Sequence, residues 1–171
     1  MLDIPGSECG EVGRQAGACS PAREIAGFRL GSYAMSYTVA RRTPTPEEHR
    51  QLSESVGWAG AFWWEAMPAS LLGSTCGVVV HQDSSGDLVG MGRVVGDGAF
   101  YFYIQDVAVH PDHQGRGLGR TIVNELVEQI TRQAPGHCFV GLFATADAEA
   151  LYRKLGWREH EMRGMWKVLR P

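Results

Sequence analysis

The sequence predicts an α/β fold of the α+β type: a mixed, mostly antiparallel central sheet flanked by helices on both faces. Three observations lead there. Phe100 to Val109 is rich in aromatic and β-branched residues with apolar side chains on both faces, which suits a central strand covered on both sides. Before it, Cys76–His81 and Leu88–Val95 are strand-like runs joined by the turn-forming Gln82-Asp83-Ser84-Ser85-Gly86-Asp87, a hairpin pattern. After it, Leu118, Ile122, Val123, Leu126, Val127 and Ile130 recur at the three-and-four spacing of one helix face.

Each element follows in order. Residues 1–34 are dotted with Gly6, Gly10, Gly13, Gly17, Gly27 and Gly31 and show neither period 2 nor period 3.6. They are expected to form a poorly structured extension, or else an arm packing on the domain or a neighbouring subunit, with the domain over residues 35–171. Ser36–Arg41 alternates weakly and is the first expected strand. Thr45, Pro46 and Glu48 spell a capped helix start, and that helix is expected to reach Val56 and end at Gly57. Trp58 to Glu65 (WAGAFWWE) is dense in aromatics, which are either core or the wall of a pocket. Gly96-Asp97-Gly98 turns into the central strand, which Pro111 and Asp112 stop. Ala134-Pro135-Gly136 breaks the long helix, and His137–Phe143 reads as a strand. Ala144–Leu155 reads as a second amphipathic helix with Gly156 at its end, and Met162–Leu169 as a last strand.

Size and charge narrow the function. A chain of 171 residues fits one domain with a sizeable core. A net charge of −3 implies no basic face, so nucleic acid is not an expected partner. No apolar run approaches the roughly 20 residues of a membrane span. The four cysteines contain no C-x-x-C pair, which argues against a zinc site or disulfide framework and for a reducing, cytoplasmic setting.

Between the central strand and the long helix sits Gln114-Gly115-Arg116-Gly117-Leu118-Gly119-Arg120. Three glycines leave backbone N–H groups free to point outward at a helix start, flanked by Arg116 and Arg120, a ready site for phosphate. A Walker loop needs Gly-Lys-Ser/Thr, which is lacking, and G-x-G-x-x-G fails because Arg120 or Ile122 falls at its third glycine. The pattern that fits is Q-x-x-G-x-G, at Gln114, Gly117 and Gly119. Following a strand reading DVAVHP, it resembles the acetyl-CoA loop of the GNAT superfamily of N-acetyltransferases. Ala150-Leu151-Tyr152-Arg153-Lys154-Leu155-Gly156-Trp157 resembles that family's LYxxLGF segment, with Trp157 where Phe is usual.

The resemblance covers roughly Ser36 to Leu169 and implies a set of roles. Acetyl-CoA would be the co-substrate, with no metal needed. Its pantetheine arm would lie along free backbone groups of Val107, Ala108 and Val109, and its pyrophosphate on the amides from Gln114 to Arg120. A backbone N–H near Val109 would hold the oxyanion, and Tyr152 would protonate the departing thiolate, unless it is only a buried tyrosine. Thr145 stands where many relatives carry a pantetheine-binding asparagine, and either contacts the arm or caps a helix. The acceptor would be a primary amine, small-molecule or peptide, received beside Phe62, Trp63, Trp64 and Gln105. For its proton the central strand offers Asp106, acting through water or merely structural. Regular alternation would turn Gln105 and Asp106 to opposite sides, whereas a bulge would swing Asp106 toward the acceptor. His110 and His113 read as solvated turn residues. Protein acetylation or a non-catalytic acetyl-CoA-binding module are the competing functions, and dimers are common in the resembled family, so a homodimer is a further expectation.

Overall fold

A computed structural model describes residues 35–160, 164, 165 and 167–169. The expected extension, residues 1–34, lies outside the described residues. Five strands form one sheet in sequential order: β1 (Tyr37–Ala40), β2 (Cys76–Gln82), β3 (Leu88–Gly96), β4 (Tyr101–Val109) and β5 (Phe139–Gly141). β1 to β4 pair antiparallel, and β4 pairs β5 in parallel.

Helix α3 (Leu118–Gln133) covers one face. It lays Leu118, Ile122, Leu126 and Ile130 on Val78, Val80, Val94, Phe102 and Ile104, all buried. Gly92 permits this close approach, since a Cβ there would lie 2.7 Å from Cγ2 of Ile122. Helix α1 (Pro46–Ser55) covers the other face, where Leu52 packs on Met91 and Ala108. Its start is the expected capping box: the Glu48 N–H donates to Thr45 Oγ1 at 3.2 Å, and the Thr45 N–H to the Glu48 carboxylate at 2.7 Å.

Four elements differ from expectation. The strand expected over His137–Phe143 is confined to β5, Phe139–Gly141, where it pairs with β4. A short helix, α2 (Met67–Leu72), follows the aromatic segment; six residues are too few for a periodic signal. The second expected helix is shorter, α4 (Glu149–Lys154), because Thr145 to Ala148 turn first, the Ala148 N–H donating to the Thr145 carbonyl. Gly156 ends it in the left-handed conformation, with the Trp157 N–H reaching back to the Tyr152 carbonyl. The strand expected over Met162–Leu169 lies partly outside the described residues, and Gly164, Met165 and Lys167–Leu169 carry no strand.

The central strand is not regular. Met91 pairs with Ala108 but Arg93 with Gln105, so one residue of β3 faces two of β4. Asp106 sits at this bulge with φ 54°, the sole non-glycine with positive φ among the described residues. The bulge reverses the strand's phase. Phe102 and Ile104 face α3, yet beyond it Ala108 faces α1 and Val107 and Val109 turn toward the α3 side.

Candidate active site

The β4–β5 ladder ends at Tyr103 and Gly141. From Ile104 onward β4 has no partner on that side among the described residues, and the strands part. A cavity of about 240 Å³ fills the gap. Trp58, Ala61 and Phe62 wall it from the segment after α1, and Ile104 to Val107 from β4. Phe143, Thr145, Ala148 and Tyr152 close it from beyond β5. The bulge brings Gln105 and Asp106 onto the same cavity, which regular alternation would have prevented.

Tyr152, on α4, is 8% exposed and meets Trp157 edge-on at 6.1 Å. Burial pushes its phenol up, so the hydroxyl is protonated at neutral pH. Among the described residues that hydroxyl makes no hydrogen bond, which leaves its proton available to the cavity.

Asp106 is held from behind. Its Oδ2 accepts from Nε of Arg93 at 2.6 Å and from Nε2 of His49 at 3.0 Å. Arg93 also donates to the Ser70 carbonyl and to Oγ of Ser74, tying the end of α2 to the sheet. Burial raises the Asp106 carboxyl, but the hydrogen bond from His49 and the charge and hydrogen bond of Arg93 outweigh it. The group sits below the ordinary carboxylate range and is ionised.

The glycine loop lies past the other end of β4. Gly115 and Gly117 have φ of 73° and 84°, where a side chain is strained, and a Cβ on either would meet nothing within 4 Å. The surface above the loop is open. Gly117 is the N-cap of α3 and supplies no side-chain acceptor, so the first N–H groups of this 16-residue helix are uncapped. Leu118 is buried in the core and offers only its backbone; a Cβ on Gly119 would lie 3.2 Å from Cδ2 of Leu151, and Arg116 and Arg120 are exposed. The Gln114 side chain donates to the Val109 carbonyl at 3.0 Å, tying the loop to the end of β4. His110 accepts from the Asp112 N–H, and His113 lies 3.1 Å from the Tyr37 hydroxyl; both serve the turn.

Two expected acceptor residues stand apart from the cavity. Trp63 is 68% exposed. Trp64 packs its ring against His49 and Phe62 and donates to the Ala59 carbonyl. Neither lines the wall, whereas Phe62 and Gln105 do. Trp58 belongs to the aromatic segment expected as core or pocket wall, whereas Phe143, His49 and Arg93 join the site with no expected role. Arg93 did carry a signal, since a charged residue inside an apolar strand requires a buried partner.

The comparisons with known proteins agree with this arrangement. Residues 73–159, slightly more than half of the chain, match the family model described as Acetyltransferase (GNAT) domain, and the chain belongs to that family. Over 111 residues it is 39% identical to the uncharacterized N-acetyltransferase ycf52 of Porphyra purpurea. That match covers 64% of this chain and 63% of the relative, so it spans less than two thirds of the relative's length. A probable acetyltransferase from meticillin-resistant Staphylococcus aureus superposes with a TM-score of 0.70 at 30% identity, over 78% of this chain and 99% of that one. An aminoglycoside N-acetyltransferase solved in complex with CoA shares the fold, with a TM-score of 0.60 at 14% identity over 81% of this chain and 99% of that one. Among the described residues no helix is long and apolar enough to cross a membrane.

Proposed function

We propose that this protein transfers the acetyl group of acetyl-CoA to a primary amine, directly, within a ternary complex. The observation carrying the proposal is the parting of β4 from β5 beside an uncapped, glycine-lined helix start. A diphosphate is matched by the amides from Gln114 to Arg120, with Arg116 and Arg120 adding charge. A peptide-like pantetheine arm is matched by the free edge of β4 at Val107, Ala108 and Val109, with Thr145 opposite. The thioester then lies in the cavity between Tyr152 and Asp106. CoA bound to a neighbour of the same fold supports the choice of donor.

The amine nitrogen attacks the thioester carbonyl, and a backbone N–H near Val109 stabilises the oxyanion. As the C–S bond breaks, Tyr152 gives its proton to the thiolate. The proton lost by the amine leaves through water beside Asp106. Arg93 keeps that carboxylate ionised, so it orients the amine rather than storing the proton.

A small-molecule acceptor is favoured, because the wall is mainly apolar and aromatic (Trp58, Phe62, Ile104, Phe143) and its one carboxylate is already paired with a guanidinium. An apolar or aromatic body carrying a single amine fits such a wall better than a polycation. A panel of amines, followed by release of the CoA thiol with and without residues 1–34, tests the proposal. Turnover with single-amine apolar acceptors supports it. Turnover only with protein lysines or N-termini replaces the acceptor class, and binding of acetyl-CoA without transfer to any amine reduces the protein to a binding module.

A further inference from the structure

His49 is fully buried, 0% exposed, in the middle of α1. Its ring meets Phe62 edge-on at 4.9 Å and Trp64 at 6.0 Å. A buried imidazole costs stability unless both nitrogens are satisfied. Here Nε2 donates to Asp106 Oδ2, since a carboxylate can only accept, and Nδ1 lies 3.4 Å from Oγ of Ser53, one helical turn along.

Arg93 and His49 converge on one oxygen, Oδ2, from β3 and from α1. The other oxygen, Oδ1, accepts no hydrogen bond among the described residues, and Asp106 lines the cavity. Two donors from different elements fix both the position and the rotation of the carboxylate; one donor alone would leave it free to pivot about that bond. Asp106 needs such support because it stands on a bulge at positive φ, where no regular ladder holds the backbone.

We infer that His49 is a positioning residue for the acceptor half of the reaction: with Arg93 it clamps Asp106 Oδ2 so that Oδ1 faces the incoming amine. The inference rests on the acetyltransferase reading above and names a residue outside the cavity wall. Phe62 links the two functions, since its ring lines the cavity on one side and packs on His49 on the other. Acceptor shape and carboxylate orientation are thereby set by the same contact.

Two variants separate this role from packing. His49→Met fills the space without a donor; His49→Gln restores an N–H near the place of Nε2. Steady-state kinetics with the best amine should show kcat/KM for the amine lowered about 10–100-fold in His49→Met, as expected for a displaced reactive group. The KM for acetyl-CoA should stay within about twofold, because the loop and β4 edge are untouched, and His49→Gln should recover most of the loss. If His49→Met folds poorly, His49→Asn, whose amide is too short to reach Oδ2, is combined with Asp106→Asn: non-additive effects support the clamp, and additive ones overturn it. A folded His49→Met enzyme with wild-type kinetics overturns the inference, as does equal impairment of Met and Gln variants. Failure of the wild-type protein to transfer acetyl to any amine would instead remove the underlying reading.

Discussion

Replacing Arg93 by Met keeps much of the side chain's bulk and removes its charge. In the native protein Arg93 is 7% exposed, and its guanidinium bonds Asp106 at 2.6 Å and holds the Ser70 carbonyl and Ser74 hydroxyl. Its loss leaves a buried carboxylate with His49 as its one remaining donor. Removing one partner of a buried ion pair costs about 3–5 kcal/mol. The lower figure suits this site, because His49 remains and cavity water can reach Oδ1. About 3 kcal/mol in a chain of this size corresponds to a fall in Tm of roughly 6–12 °C. The loss depends on pH in a definite direction. Natively the folded Asp106 pKa lies below its unfolded value, so its stabilisation is present above about pH 4 and disappears as pH falls through the folded value. Without Arg93 its charge and hydrogen bond no longer lower the folded pKa, so the folded value moves upward and the stabilisation present above about pH 4 shrinks. Scanning calorimetry at pH 7 and pH 4 should therefore show a large Tm difference at neutral pH and a smaller one in acid. Adding Asp106→Leu should restore much of the loss, since the uncompensated charge is gone. A difference under about 1 kcal/mol at pH 7, the scale of an exposed pair, or an equal one at both pH values, would refute the reasoning.

Tyr152→Phe should lower kcat by roughly 10²-fold or more while leaving acetyl-CoA affinity unchanged, if protonation of the thiolate limits turnover. An unaltered turnover number removes Tyr152 from the mechanism. Phe62→Ala should raise the acceptor KM, whereas Trp63→Ala should not, because only Phe62 lines the cavity. Equal effects in initial-rate measurements would contradict that wall.

The parts of the fold legible in the sequence were those with a period or a punctuation mark. Thr45-Pro46 and Glu48, the heptad-like face from Leu118 to Ile130, and Gly156 each carry local chemistry that tertiary contacts do not override. The glycine loop was legible because Gly115 and Gly117 are needed at positive φ. The bulge at Asp106 has no such mark: an aspartate at φ 54° is selected by Arg93 and His49, residues 13 and 57 positions away. Two side-chain assignments thus turned on one backbone angle. Trp63 and Trp64 look alike in sequence beside Phe62, yet at the 3₁₀ turn over Trp64–Ala66 Trp64 packs on Phe62 and His49 while Trp63 stands in solvent, and of the three only Phe62 lines the cavity. The end of the last expected strand depends on pairing rather than pattern, and its residues gave no local stop.

The proposed transfer requires the loop from Gly115 to Gly119 to hold the diphosphate of acetyl-CoA on bare backbone amides. Titration calorimetry with acetyl-CoA, on the native chain and on Gly117→Val, addresses this directly. The native protein should bind one equivalent, and the variant should bind at least tenfold more weakly. The loss of one amide bond to a charged group is about 1.5–3 kcal/mol; the new side chain meets no core atom, and its strain at φ 84° falls on the loop that holds the ligand. No heat of binding in the native protein, or equal affinity in the two, would contradict it.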